Sequence, residues 1–246
     1  MQKICVLIPS RYASSRLPGK PLLKIDGLSV INRTYQQVKQ SKLIDEAYVV
    51  TDDIRIQSEV EDFGGKVLRQ DDETENGTER CAMAVVKNKL EYEYYLIVLG
   101  DQPYVDTSHI DLLINQYKIH GGLYEIYTLH SKLDHDDVDD KSIAKVVLNK
   151  NSDIMYISRA CIPSSKSGEI NPKISYYKHV SLVMIRSDIM KSYCDLENNY
   201  LQLEEDNEWL KFLYAGHKIK STLVDHVERD MNTPQDYEYL KTKYER

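Results

Sequence analysis

The chain has 246 residues, enough for one substantial core or for one domain with a small excursion. Its formal charge of −7 argues against a nucleic-acid partner, because the cations are scattered or confined to the opening loop. Four distant cysteines without a Cys-x-x-Cys pair, no signal-peptide pattern and no apolar run near the ~18 residues of a membrane span predict a cytoplasmic, non-membrane protein with reduced thiols.

Strand-like and helix-like runs alternate, which predicts a largely parallel sheet covered on both faces. Ile4–Ile8 reads as a buried strand, 30–40 as a helix and 47–51 as a strand closed by Asp52-Asp53. A helix over 54–63 stops at Gly64-Gly65, a short strand follows over 66–69, and 78–90 is a helix with Thr78 as its N-cap. Residues 95–99 form the next buried strand, 109–118 a helix, and 124–129, 144–148 and 154–157 strands. Residues 134–140 form an acidic loop and 164–173 a polar one. A strand over 180–185, a helix over 201–214 and a strand over 219–223 complete the alternation. The closing helix over 234–244 is capped by Thr233, with Pro234 at its first position.

Three places carry chemistry. Behind the first strand, Ser10-Arg11-Tyr12-Ala13-Ser14-Ser15-Arg16-Leu17-Pro18-Gly19-Lys20 gathers three cations, hydroxyls and a glycine where an open α/β sheet binds its ligand. Cations and loop N–H groups there suit a polyphosphate, although the glycines of the Walker and dinucleotide fingerprints are missing. The plainer alternative is a basic, solvated turn. Gly100-Asp101 places a carboxylate after a buried strand, where magnesium needs only one or two carboxylates beside phosphate oxygens. A capping turn aspartate is the alternative. Asp230-Met231-Asn232-Thr233 sets polar groups before a helix start, which capping alone could also explain.

Residues Pro9–Leu22, with Arg11, Ser14, Arg16 and Lys20 inside them, resemble the signature of the CMP-Kdo synthetases (3-deoxy-manno-octulosonate cytidylyltransferases). The likeness continues collinearly through Val50-Thr51-Asp52-Asp53, Asn76-Gly77-Thr78-Glu79-Arg80, Leu99-Gly100-Asp101-Gln102-Pro103, Lys145-Val146-Val147, Tyr156–Ala160, Lys178-His179-Val180, Glu205-x-x-Glu208-x-Leu210 and Thr233-Pro234-x-Asp236. It implies a single domain over 1–246 with a three-layer, Rossmann-like nucleotidyltransferase fold. The sheet would be mostly parallel but mixed, with a smaller sugar-binding and dimerisation excursion. It further implies transfer of CMP from CTP to the anomeric hydroxyl of an acidic sugar, with Mg2+, in a homodimer serving lipopolysaccharide or capsule synthesis. Pro9, Arg11, Ser14, Arg16, Lys20, Thr78 and Arg80 would face the nucleotide. Lys20, Arg11 and Asp101 would be catalytic. Asp101 with Asn232 or Asp230 would hold the metal, and Gln102, Arg159, His179, Glu205 and Glu208 the sugar.

Plainer readings stand beside these. His179 could be a satisfied core histidine, Arg159 could pair with a neighbouring carboxylate, and Glu205 and Glu208 could share a solvated helix face. The chain also departs from the family pattern. Asn232 takes the position of the second metal aspartate. Asp230, two residues away, would be displaced by roughly 6.6 Å along an extended segment. Leu99, Val183 and Trp209 replace Gln, Tyr and Gln, so three polar sugar contacts become apolar or bulky. A sugar other than ordinary Kdo, such as 8-amino-Kdo, would be consistent with that change. Two other readings remain open: a nucleotidyltransferase for a sugar phosphate or polysaccharide precursor, and a non-catalytic nucleotide-binding homologue.

Overall fold

Six consecutive buried residues, Ile4–Pro9 (β1), can be satisfied only where strands flank both edges and cover lies on both faces. The computed structural model, which describes residues 3–13 and 17–245, places β1 in that position. The chain continues through a two-stranded ribbon, Lys24–Ile25 (β2) and Leu28–Ser29 (β3), to helix Val30–Lys39 (α1) and strand Glu46–Thr51 (β4). Helix Ile54–Asp62 (α2), strand Val67–Arg69 (β5), helix Gly77–Lys87 (α3), strand Tyr94–Val98 (β6) and helix Thr107–His120 (α4) follow. Next come Ile126–Leu133 (β7), Lys145–Leu148 (β8), Ile154–Ser158 (β9) and Tyr176–Arg186 (β10). The last elements are Ser187–Lys191 (α5), Tyr200–Glu205 (α6), Leu210–Tyr214 (α7), Ile219–Val224 (β11) and Pro234–Tyr244 (α8).

These elements form two compact units. One takes the chain up to Leu112, Ile185–Cys194 and the segment from Glu228 onward; the other takes Leu113–Met184 and Asp195–Val227. In the first unit β1 lies between β6 and β4, with β5 outside β4, and every one of these pairs is parallel. Parallel strands need crossovers, and α1 and α2 provide two of them. Their apolar residues recur at helical spacing, as Val30, Ile31, Tyr35 and Val38 in α1 and Ile56 and Val60 in α2, so one face of each is buried. The carboxyl ends of β1 and β6 therefore lie side by side.

In the second unit β11 runs parallel to β7, in register from Ile219 opposite Ile126 to Val224 opposite Ser131. Strand β8 pairs antiparallel with β10 and with β9. The α/β class and the mostly parallel but mixed strands agree with expectation; the β2–β3 ribbon is an addition.

Two expectations need correction. The helix expected over 201–214 is broken: α6 ends at Asp206, whose φ of 45° is left-handed, and α7 begins at Leu210. A left-handed residue cannot continue a right-handed helix, so Glu205 and Glu208 do not share a helix face. Thr78 is not an N-cap. Asn76 caps α3 by accepting from the Glu79 N–H, and Thr78 is buried in the first turn.

Candidate active site

The opening turn is closed by a backbone requirement. Gly19 donates to the Tyr12 carbonyl at 3.0 Å with φ +69°, and a Cβ there would lie 3.1 Å from the Tyr12 ring. Glycine meets both conditions without strain. Lys20 follows at the start of a short 3-10 turn with Pro21, and its Nζ reaches Asp101 Oδ2 at 2.5 Å. Both side chains are largely buried, at 14 % and 15 % exposure, so this pair is shielded from the screening that weakens surface ion pairs. Arg11 is exposed. Ser14 and Arg16 lie outside the described residues. The Tyr12 ring carries the Arg55 guanidinium at 3.2 Å, an aromatic support that the sequence pattern did not indicate.

Asp101 reaches this turn because Gly100 lets two strand ends approach. Gly100 donates to the Pro9 carbonyl at 3.2 Å, and an added Cβ would stand 2.9 Å from that oxygen and 3.0 Å from Ser10 Oγ. The segment before α8 arrives at the same place. The Met231 N–H donates to the Asp101 carbonyl at 3.0 Å, and Gln102 Nε2 donates to Asp230 Oδ1 at 3.0 Å. Lys20, Asp101, Gln102 and Asp230 thus converge, whereas the Asn232 N–H is turned toward Asp236. Thr233 and Asp236 close a reciprocal capping box on α8, as the sequence signalled. Capping and convergence therefore coexist in this segment.

Three buried polar atoms here, Asp101 Oδ1, Gln102 Oε1 and Ser10 Oγ, make no hydrogen bond among the described residues. Leaving such groups unpaired costs about 1–3 kcal/mol each, so they mark a place that a ligand would satisfy. Among the described residues no group of three or more His, Cys, Asp or Glu could hold a metal ion. Magnesium asks for less: one or two carboxylates with phosphate oxygens and waters complete its shell. The hard oxygen donors of Asp101 and Asp230, with the Asn232 amide oxygen, fit that ion.

The remaining nucleotide candidates sit on or beside α3. Gly77 lets the helix start lie against Pro9, where a Cβ would meet the ring at 3.1 Å. Arg80 is 5 % exposed and committed, with Nη1 donating to the Gln70 carbonyl at 3.1 Å and Nη2 pairing with Asp52 at 2.9 Å. The guanidinium thereby ties α3 to the end of β4.

Of the sugar candidates Gln102 lies in the first unit, and Arg159, His179, Glu205 and Glu208 lie in the second. His179, in β10, shares a hydrogen bond between Nε2 and Thr128 Oγ1 at 2.9 Å. Burial, then the nearby His130, pushes its pKa down to about 3, so the ring is a neutral hydrogen-bonding group rather than a cation. Trp209 packs near it, with ring centroids 6.1 Å apart, and Val183 is buried in the same strand. Glu205 accepts from Ser158 Oγ at 2.6 Å and from the Arg159 N–H at 2.8 Å. The Arg159 side chain pairs with Asp206 at 3.4 Å, and its other bonds go to main-chain carbonyls. Glu208 lies in the turn before α7.

Comparison with known proteins places this geometry in context. Residues 5–219 match the sequence profile described as Cytidylyltransferase. A 3-deoxy-manno-octulosonate cytidylyltransferase of Parabacteroides distasonis is 36% identical, over 97% of this chain and 96% of the relative. An 8-amino-3,8-dideoxy-manno-octulosonate cytidylyltransferase of Shewanella frigidimarina is 34% identical, over 95% of each. The solved structure of a CMP:2-keto-3-deoxy-manno-octonic acid synthetase complexed with CTP superimposes with a TM-score of 0.90 at 31% identity, covering 98% of both chains.

Proposed function

The chain belongs to the cytidylyltransferase family, and from that premise we propose that it transfers CMP from CTP to the anomeric hydroxyl of a 3-deoxy ulosonic acid, releasing pyrophosphate. The observation that carries this reading is the Lys20 ammonium held 2.5 Å from Asp101 where β1 and β6 end, beside three unpaired buried polar atoms. Lys20 and Arg11 bind the triphosphate, and Lys20 offsets the charge that grows on the departing pyrophosphate. Thr78 and Arg80 contribute on the nucleotide side, from the helix whose start at Gly77 lies against Pro9. Asp101 and Asp230, with the Asn232 amide, would hold magnesium. That ion, when bound, supplies charge neutralisation and lowers the pKa of the attacking hydroxyl.

The acceptor belongs to the second unit in this reading. Arg159 receives its carboxylate, and the neutral His179 ring hydrogen-bonds a hydroxyl. Buried Val183 and Trp209 favour an acceptor with altered polar groups, for which the 8-amino acid named for the Shewanella relative is the nearest chemistry. The product would feed lipopolysaccharide or capsule synthesis. The test is pyrophosphate release from each of the four nucleoside triphosphates with magnesium and a panel of ulosonic acids, including the 8-amino form. Turnover with CTP and one such acid is expected; none with any acid would refute the assignment.

A further inference from the structure

Lys145 is fully buried in the second unit, yet among the described residues its ammonium is bonded by no carboxylate. Its ammonium donates to three main-chain carbonyls instead: Asp140 at 2.7 Å, Ile143 at 2.8 Å and Arg159 at 2.6 Å. The two carbonyls between the first pair, Lys141 and Ser142, accept from Arg159 Nη1 at 3.2 and 3.1 Å. Four consecutive carbonyls of one turn therefore point at two cations, and one cation also grips the main chain of the other. The far side of the guanidinium is held as firmly, with Nε on the Glu205 carbonyl at 2.8 Å and Nη2 on the Asp206 carbonyl at 2.9 Å.

Arg159 has five N–H donors in a rigid plane. Four are taken by main-chain carbonyls. The fifth, on Nη2, reaches only the Asp206 carboxylate among the described residues, a weak 3.4 Å contact to a side chain 88% exposed. An incoming anion can displace that contact easily, and the other four would resist. The guanidinium accordingly presents one edge, and the turn that fixes this edge is organised by Lys145.

We infer that Lys145 is a positioning residue for acceptor binding: through the carbonyl turn 140–143 it orients Arg159 so that Nη2 faces the carboxylate of the acid substrate. This inference rests on the acceptor reading proposed above. Burial lowers the Lys145 pKa, as expected for an ammonium solvated only by carbonyl dipoles.

The test is a double-variant cycle on the full chain, with Lys145→Met, Arg159→Ala and their combination. Kinetics of pyrophosphate release are measured with CTP and with the preferred ulosonic acid varied in turn. Lys145→Met should raise the acceptor KM at least tenfold and leave the CTP KM within twofold. In the Arg159→Ala background the same change should add less than twofold, because the group it positions is gone. Lys145→Arg, which keeps a cation, should recover part of the loss and carries the cycle if the Met variant fails to fold. Equal effects in both backgrounds, or parallel rises in both KM values, would overturn the inference. If no ulosonic acid is turned over, the activity assignment fails and amide hydrogen exchange decides the clamp separately. Lys145→Met or Lys145→Arg must then speed exchange selectively at 140–143 and at the Arg159 N–H, and unchanged rates there would overturn it.

Discussion

Gly100→Ala tests the juxtaposition on which the proposed nucleotide site depends. The new methyl would stand 2.9 Å from the Pro9 carbonyl oxygen, against an ordinary contact of 3.4 Å or more, so the ends of β1 and β6 must part by about 0.5 Å. Backbone yields reluctantly inside a parallel sheet, and overpacking of this kind costs about 1–3 kcal/mol. For a chain of this size that lowers the unfolding midpoint by about 2–4 °C per kcal/mol. Asp101 is the next residue, and it moves with the strand end away from Lys20, its partner at 2.5 Å. A misplacement of about 1 Å can cost ~100-fold in rate, so half that shift should cost about tenfold in kcat. Gly77→Ala is the matched control. Its methyl meets the Pro9 ring at 3.1 Å, a deficit a ring can absorb, and kcat should fall less than threefold. Thermal unfolding and pyrophosphate release, measured on both variants, decide the matter. Full activity and an unchanged midpoint for Gly100→Ala would refute the argument that close approach assembles this site.

Lys20→Met should abolish measurable turnover and leave the Asp101 carboxylate unpaired. The expected destabilisation is about 2–3 kcal/mol, below that of a fully enclosed orphan charge because Asp101 is 15% exposed. Adding Asp101→Asn should restore the stability, read by denaturant titration, but not the activity. Asn232→Asp should lower the magnesium concentration for half-maximal rate at least threefold, since it adds a negative charge beside Asp101 and Asp230; an unchanged magnesium titration would remove position 232 from the metal site. Acid should destabilise the second unit below pH 6.5. His130 and His179 have folded pKa values depressed to about 4 and about 3, so the unfolded chain binds more protons in that window and stability falls as pH falls. Each contributes up to about 2 kcal/mol between pH 6.5 and 5, and His130→Gln should flatten that slope measurably.

Local signals made much of this legible in the sequence. The cap on α8 needs only Thr233, Pro234 and Asp236, which lie within four residues of one another. The strands β1 and β6 announce themselves as continuous apolar runs, and the glycine and lysine of the opening turn follow directly. What escaped was decided by single backbone angles or by distant partners. The break at Asp206 falls within five polar residues, 204–208, a composition that suits an exposed helical turn as well as a stop, so only the left-handed φ of Asp206 decides between them. The β2–β3 ribbon did carry a signal: Asp26-Gly27 between apolar residues is a hairpin turn, and both residues take positive φ. The commitment of Arg159 to main-chain carbonyls could not have been read, since its partners come from two separate turns of the chain.

The segment that reaches the candidate site, through the Met231 N–H on the Asp101 carbonyl, lies more than a hundred residues beyond Asp101 in the chain. Met231 and Leu240 are buried with Ile25 and Val30, and the Tyr237 hydroxyl donates to the Lys24 carbonyl. A ribosome that has released only the first 227 residues has therefore already made the opening turn and Asp101, but not the strap that packs against them. A product truncated at residue 227 is therefore expected to be silent rather than partly competent.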